Sequence, residues 1–369
     1  MKEAPASAVT LFLFLLIPLS LLLIGLVYQA AGSWIDGRRF PPPGRMVDIG
    51  SCKLHLNQQG SGQPVVVLES GIAASSISWS LVQSPLARFC TVCSYDRAGL
   101  GWSEARRRDW SEAPDRKSSE TRMDRSQPRT LDQMLLELDA LLREAGLTAP
   151  FVLVGHSFGG LLVRAFAHAH PERVAGLVLV DPVSLAHWGS GNPANASRVR
   201  AGAKLSRRGA LLARIGVVRA ALSALNAGGR WFPKQIARAS ARQGTGLMEN
   251  LAKQIAKLPR EQHSIVRAHW SRAKGFLAMA EYLEALPACA ASALTMSVPA
   301  KIPVTILSAE SATAAELLER DAWAAQSGHG RHIQIPGTSH WIQFERPELV
   351  VDAAREMIAY NSNNRAHIT

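Results

Sequence analysis

The chain has 369 residues, room for two average domains or one large domain with an insertion, and its 47% hydrophobic and 19% charged content excludes disorder, collagen-like repetition and a coiled coil over most of its length. Four cysteines (Cys52, Cys90, Cys93, Cys289) are too few for a disulfide scaffold, and Cys90 and Cys93 lie in an apolar run that reads as buried strand thiols. Lys and Arg number 41 against 29 acids, a net charge of +12, but residues 182–300 hold 17 Lys/Arg against four Glu and no Asp, so this one segment accounts for the whole surplus and nothing in it resembles a nucleic-acid-binding motif.

In chain order, residues 8–31 form an uncharged run, apolar on every side of any helix. At 1.5 Å per residue, about 20 residues cross a hydrocarbon core of roughly 30 Å, so the run is long enough to span a membrane even with Pro18 inside it. A cleaved signal peptide is the alternative, and small residues (Ala30, Ala31, Gly32, Ser33) do follow, but its apolar region is usually only about 7–15 residues. Lys2 on one flank against Arg38, Arg39 and Arg45 on the other leans toward a cytoplasmic body. Residues 32–46, with Pro41, Pro42 and Pro43, are predicted to be a stiff extended stalk.

Beyond the stalk, short β-branched runs at 65–68, 90–95, 151–154, 177–180 and 304–307 are continuously apolar, which predicts parallel strands buried on both faces. Helical spacing covers 131–145 (Leu131, Leu135, Leu138, Leu142) and begins again at 161–168. That alternation predicts an α/β fold with a mostly parallel sheet over 47–181 and 301–360, followed by a tail at 361–369. The polar stretch 104–129 reads as a solvated loop. The insertion 182–300 is predicted to be a helical cap, with helices at 205–225, 247–258 and 263–286.

The segment from Phe151 to Gly160 is a strand pattern, then Gly155-His156-Ser157-Phe158-Gly159, then a helix pattern, which is the context of a nucleophile elbow. A hydroxyl needs a base, and His340, in a loop after the last strand pattern (332–335), is the candidate. His55, His168, His170, His187, His263, His269, His329, His332 and His367 read as surface or capping residues.

With these motifs the chain resembles the α/β-hydrolase superfamily, in its form with a core and a helical cap. Leu68-Glu69-Ser70-Gly71-Ile72 resembles the oxyanion loop of that family, with Ser70 where a His is usual, and Asp96-x-x-Gly99-x-Gly101-x-Ser103 resembles one of its structural turns. The resemblance implies a Ser157 nucleophile, a His340 base and backbone N–H donors from Ile72 and Phe158. The family's usual acid position after the 304–307 strand is Ala312, leaving Asp181, at the end of the 177–180 strand, as the favoured acid and Glu310 as the alternative. Asp181 before Pro182 also suits a turn cap.

The expected activity is cleavage of a carboxylic ester or related acyl bond of a small-molecule substrate, possible lipid-like esters included, with no metal or organic cofactor. An acyltransferase, an aminopeptidase and a membrane-tethered binding protein without turnover remain alternatives. The basic cap, with Trp188, Trp231 and Trp270, reads either as solvated helix faces or as a surface for anionic headgroups.

Overall fold

A computed structural model describes residues 6–106, 129–226 and 254–366. The first helix, α1 (Ala6–Arg39), is continuous for 34 residues, about 51 Å at 1.5 Å per residue, with Pro18 inside it. Its stretch Leu16–Arg39 is long and apolar enough to cross a membrane by length and composition. The expected extended stalk is therefore wrong from 32 to 39. Two physical causes keep the chain helical there: Arg38 and Arg39 favour the negative end of the helix dipole, and Ser33 and Asp36 bond to Arg272 and Arg219 of the insertion.

The described residues form an eight-stranded sheet in the order β1-β2-β4-β3-β5-β6-β7-β8. Its strands are β1 (Arg45–Asp48), β2 (Lys53–Gln59), β3 (Val65–Glu69), β4 (Val92–Tyr95), β5 (Phe151–His156), β6 (Val174–Val180), β7 (Val304–Ala309) and β8 (Gly330–Ile335). β2 pairs antiparallel with β1 and β4, while every pairing from β4 through β8 is parallel. The apolar runs at 65, 90, 151, 177 and 304 all became central strands. β3, β5, β6 and β7 are buried at every residue, as expected for strands with helices on both faces. Successive side chains feed opposite layers: Val65, Val67, Phe151 and Leu153 join one apolar cluster, and Val66, Leu68, Val152 and Val154 join the other.

Helices α2 (Ser80–Leu86), α3 (Leu131–Glu144) and α4 (Phe158–Ala169) flank the sheet. Thr130 and Gln133 close a capping box at the start of α3, which fixes the predicted helix to its first residue. Among the described residues, the insertion between β6 and β7 is helical: α5 (Leu185–Gly189), α6 (Pro193–Arg214), α7 (Val217–Asn226), α8 (Arg260–Trp270) and α9 (Ala273–Ala293). The single helix expected over 205–225 breaks at Gly216, whose φ of +77° suits a glycine, and that over 263–286 breaks at Ser271 and Arg272. Most of the polar loop and most of the 247–258 helix fall outside the described residues.

α9 does not form a lid with a core of its own. Tyr282, Leu286 and Cys289 are buried in the same cluster as β5 and α4, the Tyr282 hydroxyl donates to Ala98 O at 3.2 Å, and Arg164 donates to Met296 O at 2.9 Å. After β7 come α10 (Ala314–Ala325), β8, the short α11 (Ile342–Glu345) and α12 (Pro347–Ala366), which packs beside α2 and β6.

Candidate active site

The turn between β5 and α4 places Ser157 at φ +56° and ψ −119°, a conformation that side-chain-bearing residues rarely adopt. Its glycine neighbours make that turn possible. A Cβ at Gly155 would lie 2.5 Å from Gly159 O, and one at Gly159 would lie 2.4 Å from Glu69 O. The elbow is thus pressed against the end of β3, and Gly71 lies so close that its Cβ would come within 3.3 Å of Ser157 Cβ. Phe158 opens α4, where helix geometry leaves amides without intrahelical acceptors.

The loop carrying Ile72 is pinned from below. Arg97 donates to Ser70 O and Gly71 O, each at 2.5 Å, and pairs with the buried Glu69 carboxylate, which also accepts from the Tyr95 hydroxyl. Ser70, in the position where the superfamily usually has His, bonds Ser75 O and the Ser78 hydroxyl, both at 3.1 Å. Arg97 is an unspecified position of the Asp96–Ser103 turn motif. Its work in holding the loop had no signal in its own motif, because its partners lie on a different strand.

Asp181, ending β6 at φ +41°, and His340 are brought together: Asp181 Oδ2 lies 2.6 Å from His340 Nδ1. The other carboxylate oxygen is occupied, accepting from the Ala309 amide at 3.0 Å and from buried Arg320 at 2.9 Å. Arg320 also donates to Ser308 Oγ and Pro182 O, so Asp181 has one free direction, toward the imidazole. Burial works against the charged carboxylate, but the hydrogen bond from His340 and the Arg320 charge outweigh it and hold the Asp181 pKa below the usual range. Glu310 is not brought to the His340 ring. It is exposed, and its Oε2 accepts from the Gly337 amide at 3.0 Å, bracing the loop that carries His340.

His156, adjacent to the elbow serine and not singled out from the sequence, donates through Nε2 to His340 O at 2.8 Å, and the two rings lie 4.6 Å apart. Burial, reinforced by the neighbouring imidazole, pushes its pKa down to about 3. His156 is therefore neutral in the folded chain and takes a proton on unfolding near its ordinary value of about 6.5. The unfolded state binds the extra proton between those values, so the folded state loses stability as pH falls from about 6.5 toward 3. We expect the melting temperature to fall over that window in the wild type and less steeply in His156→Gln.

Among the described residues, neither Ser157 Oγ nor His340 Nε2 is hydrogen-bonded. His55, expected at the surface, is fully buried, its Nδ1 2.9 Å from Asp96 Oδ2 and its Nε2 2.5 Å from Pro43 O. His269, half-buried edge-on to Trp102, has its pKa pushed down to about 4 chiefly by burial. A cleft of about 440 Å³ starts beside the Ile72 loop at Ala73 and runs past Leu100 to Val266, Trp270, Lys274 and Phe276 of the insertion.

Residues 65–353 match the alpha/beta hydrolase family, and the chain belongs to that family. An AB hydrolase superfamily protein of Gibberella zeae is 32% identical over 122 residues, 32% of each chain. The 2-hydroxymuconate semialdehyde hydrolase of Pseudomonas sp. is 31% identical over 143 residues, 38% of this chain and 44% of that one. A thermophilic esterase from Thermogutta terrifontis superposes with a TM-score of 0.56 at 21% identity, covering 86% of this chain and 98% of its own, a likeness of fold. Over the curated relatives it matches, the chain spans from 18% to 46% of their length.

Proposed function

We propose that the chain is a membrane-anchored serine hydrolase that cleaves a carboxylic ester or related acyl bond through an acyl-enzyme on Ser157. The observation that carries this reading is the 2.6 Å contact between Asp181 Oδ2 and His340 Nδ1, on a loop held against the residue next to Ser157. The Asp181 contact fixes the proton on Nδ1 and leaves the Nε2 lone pair to act as base. Proton transfer needs Ser157 Oγ and Nε2 within about 2.6–3.2 Å, a contact that tightens in the substrate complex. Ser157 Oγ then attacks the carbonyl carbon, and the oxyanion is received by the N–H groups of Ile72 and Phe158. The imidazolium passes its proton to the leaving group, water enters, and the same His340 takes a proton from it to release the acid.

Anchoring is supported by α1, where Leu19, Leu21, Leu23 and Ile24 are each more than 60% exposed, a continuous apolar surface that a bilayer would cover. The test of the chemistry is direct. The full chain in detergent is treated with a fluorophosphonate ester and digested, and mass spectrometry should place the phosphonyl adduct on Ser157. An adduct on another serine, or none, ends the acyl-enzyme reading.

A further inference from the structure

The C-terminal half of α1 is docked on the insertion along a seam. Along one face of α1, Gly25, Gln29, Gly32, Ser33 and Asp36 recur at helical spacing. A Cβ at Gly25 would lie 2.3 Å from Ile215 O, so the helix backbone touches the turn between α6 and α7. Gln29, only 9% exposed, donates to Ser271 O at 2.9 Å and accepts from Arg219 Nε at 3.0 Å. Arg219 pairs with Asp36 at 2.6 Å, and Arg272 donates to Ser33 O at 3.3 Å.

This seam encloses an open cleft of about 510 Å³, lined by Tyr28, Ile35, Asp36, Arg219, Ser223 and Arg267. Its charges do not balance. Arg219 and Arg267 line it and Arg272 lies beside them on the seam, yet among the described residues the only carboxylate facing them is Asp36, and Arg267 pairs with none. The Arg272 Nε is buried without a hydrogen-bond partner. Burial pulls the Arg272 pKa below its ordinary value; Asp36 opposes that, and the nearby Arg219 charge adds to the fall. One uncompensated positive charge in the cleft, with the Arg272 charge beside it, favours a bound anion.

The level of the cleft along α1 says which anion. From residue 8 to Tyr28 is 20 residues, about 30 Å of helix, the thickness of a hydrocarbon core. Tyr28 and Trp34 are 42% and 59% exposed, and the Arg38 guanidinium lies 3.7 Å from the Trp34 ring centroid, the aromatic and basic residues that settle at a headgroup layer. The cleft therefore opens at headgroup depth.

We infer that the seam between α1 and the insertion binds the phosphate of an anionic phospholipid, with Arg267 and Arg219 as its ligands, and so fixes the hydrolase body against the bilayer surface. This rests on the membrane part of the proposed function and not on its chemistry. Arg219 is already committed to Asp36, so Arg267 supplies the uncompensated charge.

The full chain, purified in neutral detergent, is titrated with phosphatidylglycerol, phosphatidylcholine or inorganic phosphate, and binding is read as a shift in melting temperature and by native mass spectrometry. Phosphatidylglycerol should raise the melting temperature and remain bound, with phosphatidylcholine and inorganic phosphate much weaker. Arg267→Gln should weaken phosphatidylglycerol binding about tenfold, Arg267→Lys less, while both keep wild-type turnover of a soluble ester, which shows that they fold. Equal phosphatidylglycerol binding by wild type and Arg267→Gln, or equal stabilisation by inorganic phosphate and the lipid, overturns the site. Carbonate extraction of the wild type from membranes separates the two levels: a stripped protein overturns the anchor and the site with it, whereas a retained protein without lipid selectivity overturns the site alone.

Discussion

Ser157→Ala should lower kcat on a p-nitrophenyl acyl ester by about 10⁶, with KM nearly unchanged, because substrate binding does not need the hydroxyl while every covalent step does. The variant should remain folded. Ala can occupy the strained φ of +56° at a cost of about 1–3 kcal/mol that Ser157 already bears, so the melting temperature should stay within a few degrees of the wild type. Residues that act as one unit lose their effects together, so His340→Ala should be nearly as inactive, and the double variant little worse than either. Steady-state kinetics with protein at high concentration checks all three. If the single effects multiply in the double variant, Ser157 and His340 do not share a proton-transfer step.

The second large effect belongs to Asp181. Asp181→Asn should cost about 10⁴ in kcat at neutral pH, because an amide can present N–H to Nδ1 and turn the imidazole to the wrong tautomer. It should also cost stability, since Arg320 is 3% exposed and would keep its charge without its carboxylate. Breaking a buried pair from one side typically costs about 3–5 kcal/mol, so the kinetics are to be measured well below the variant's own melting temperature. The wild-type carboxylate has its pKa held low, so its contribution is complete above the unfolded value of about 3.9 and is lost as pH falls through the lower folded value. Glu310→Gln should stay within a few-fold of wild-type activity, because a glutamine oxygen can still accept from the Gly337 amide. A large loss in Glu310→Gln with little in Asp181→Asn would reassign the acid.

The parts of this protein that were legible in the chain are those whose physics is local. A buried parallel strand needs a short apolar run, so β3, β5, β6 and β7 could be read directly. A sharp turn between strand and helix needs small residues, so the elbow at Ser157 could be read too. β1 and β2 could not: β2, Lys-Leu-His-Leu-Asn-Gln-Gln, lies between the edge strand β1 and β4, is polar on its exposed positions and carries a buried histidine, so neither alternation nor an apolar run identifies it. The stalk was misjudged for the opposite reason. Gly32 and Gly37 argue against a helix by propensity, and the bonds from Arg219 and Arg272, distant in the chain, help keep it wound.

The choice among acids shows the division most clearly. Asp181 and Glu310 were both plausible from the chain, being carboxylates just past parallel strands. Folding decided between them by direction, since one points along the sheet edge into the imidazole and the other outward to a loop amide. The same holds for His55, which the chain presents as one polar residue among many and which lies fully buried against Asp96. By itself the sequence determined the buried parallel strands, the glycine-flanked turn at Ser157, the apolar helix and the basic insertion, because each depends on residues within one or two turns of one another. Tertiary structure alone decided the partner of His340, the grip of Arg97 on its loop and the docking of α1 on the insertion. Those depend on which side chains converge from segments roughly 25 to 240 residues apart, and no local spacing encodes that direction.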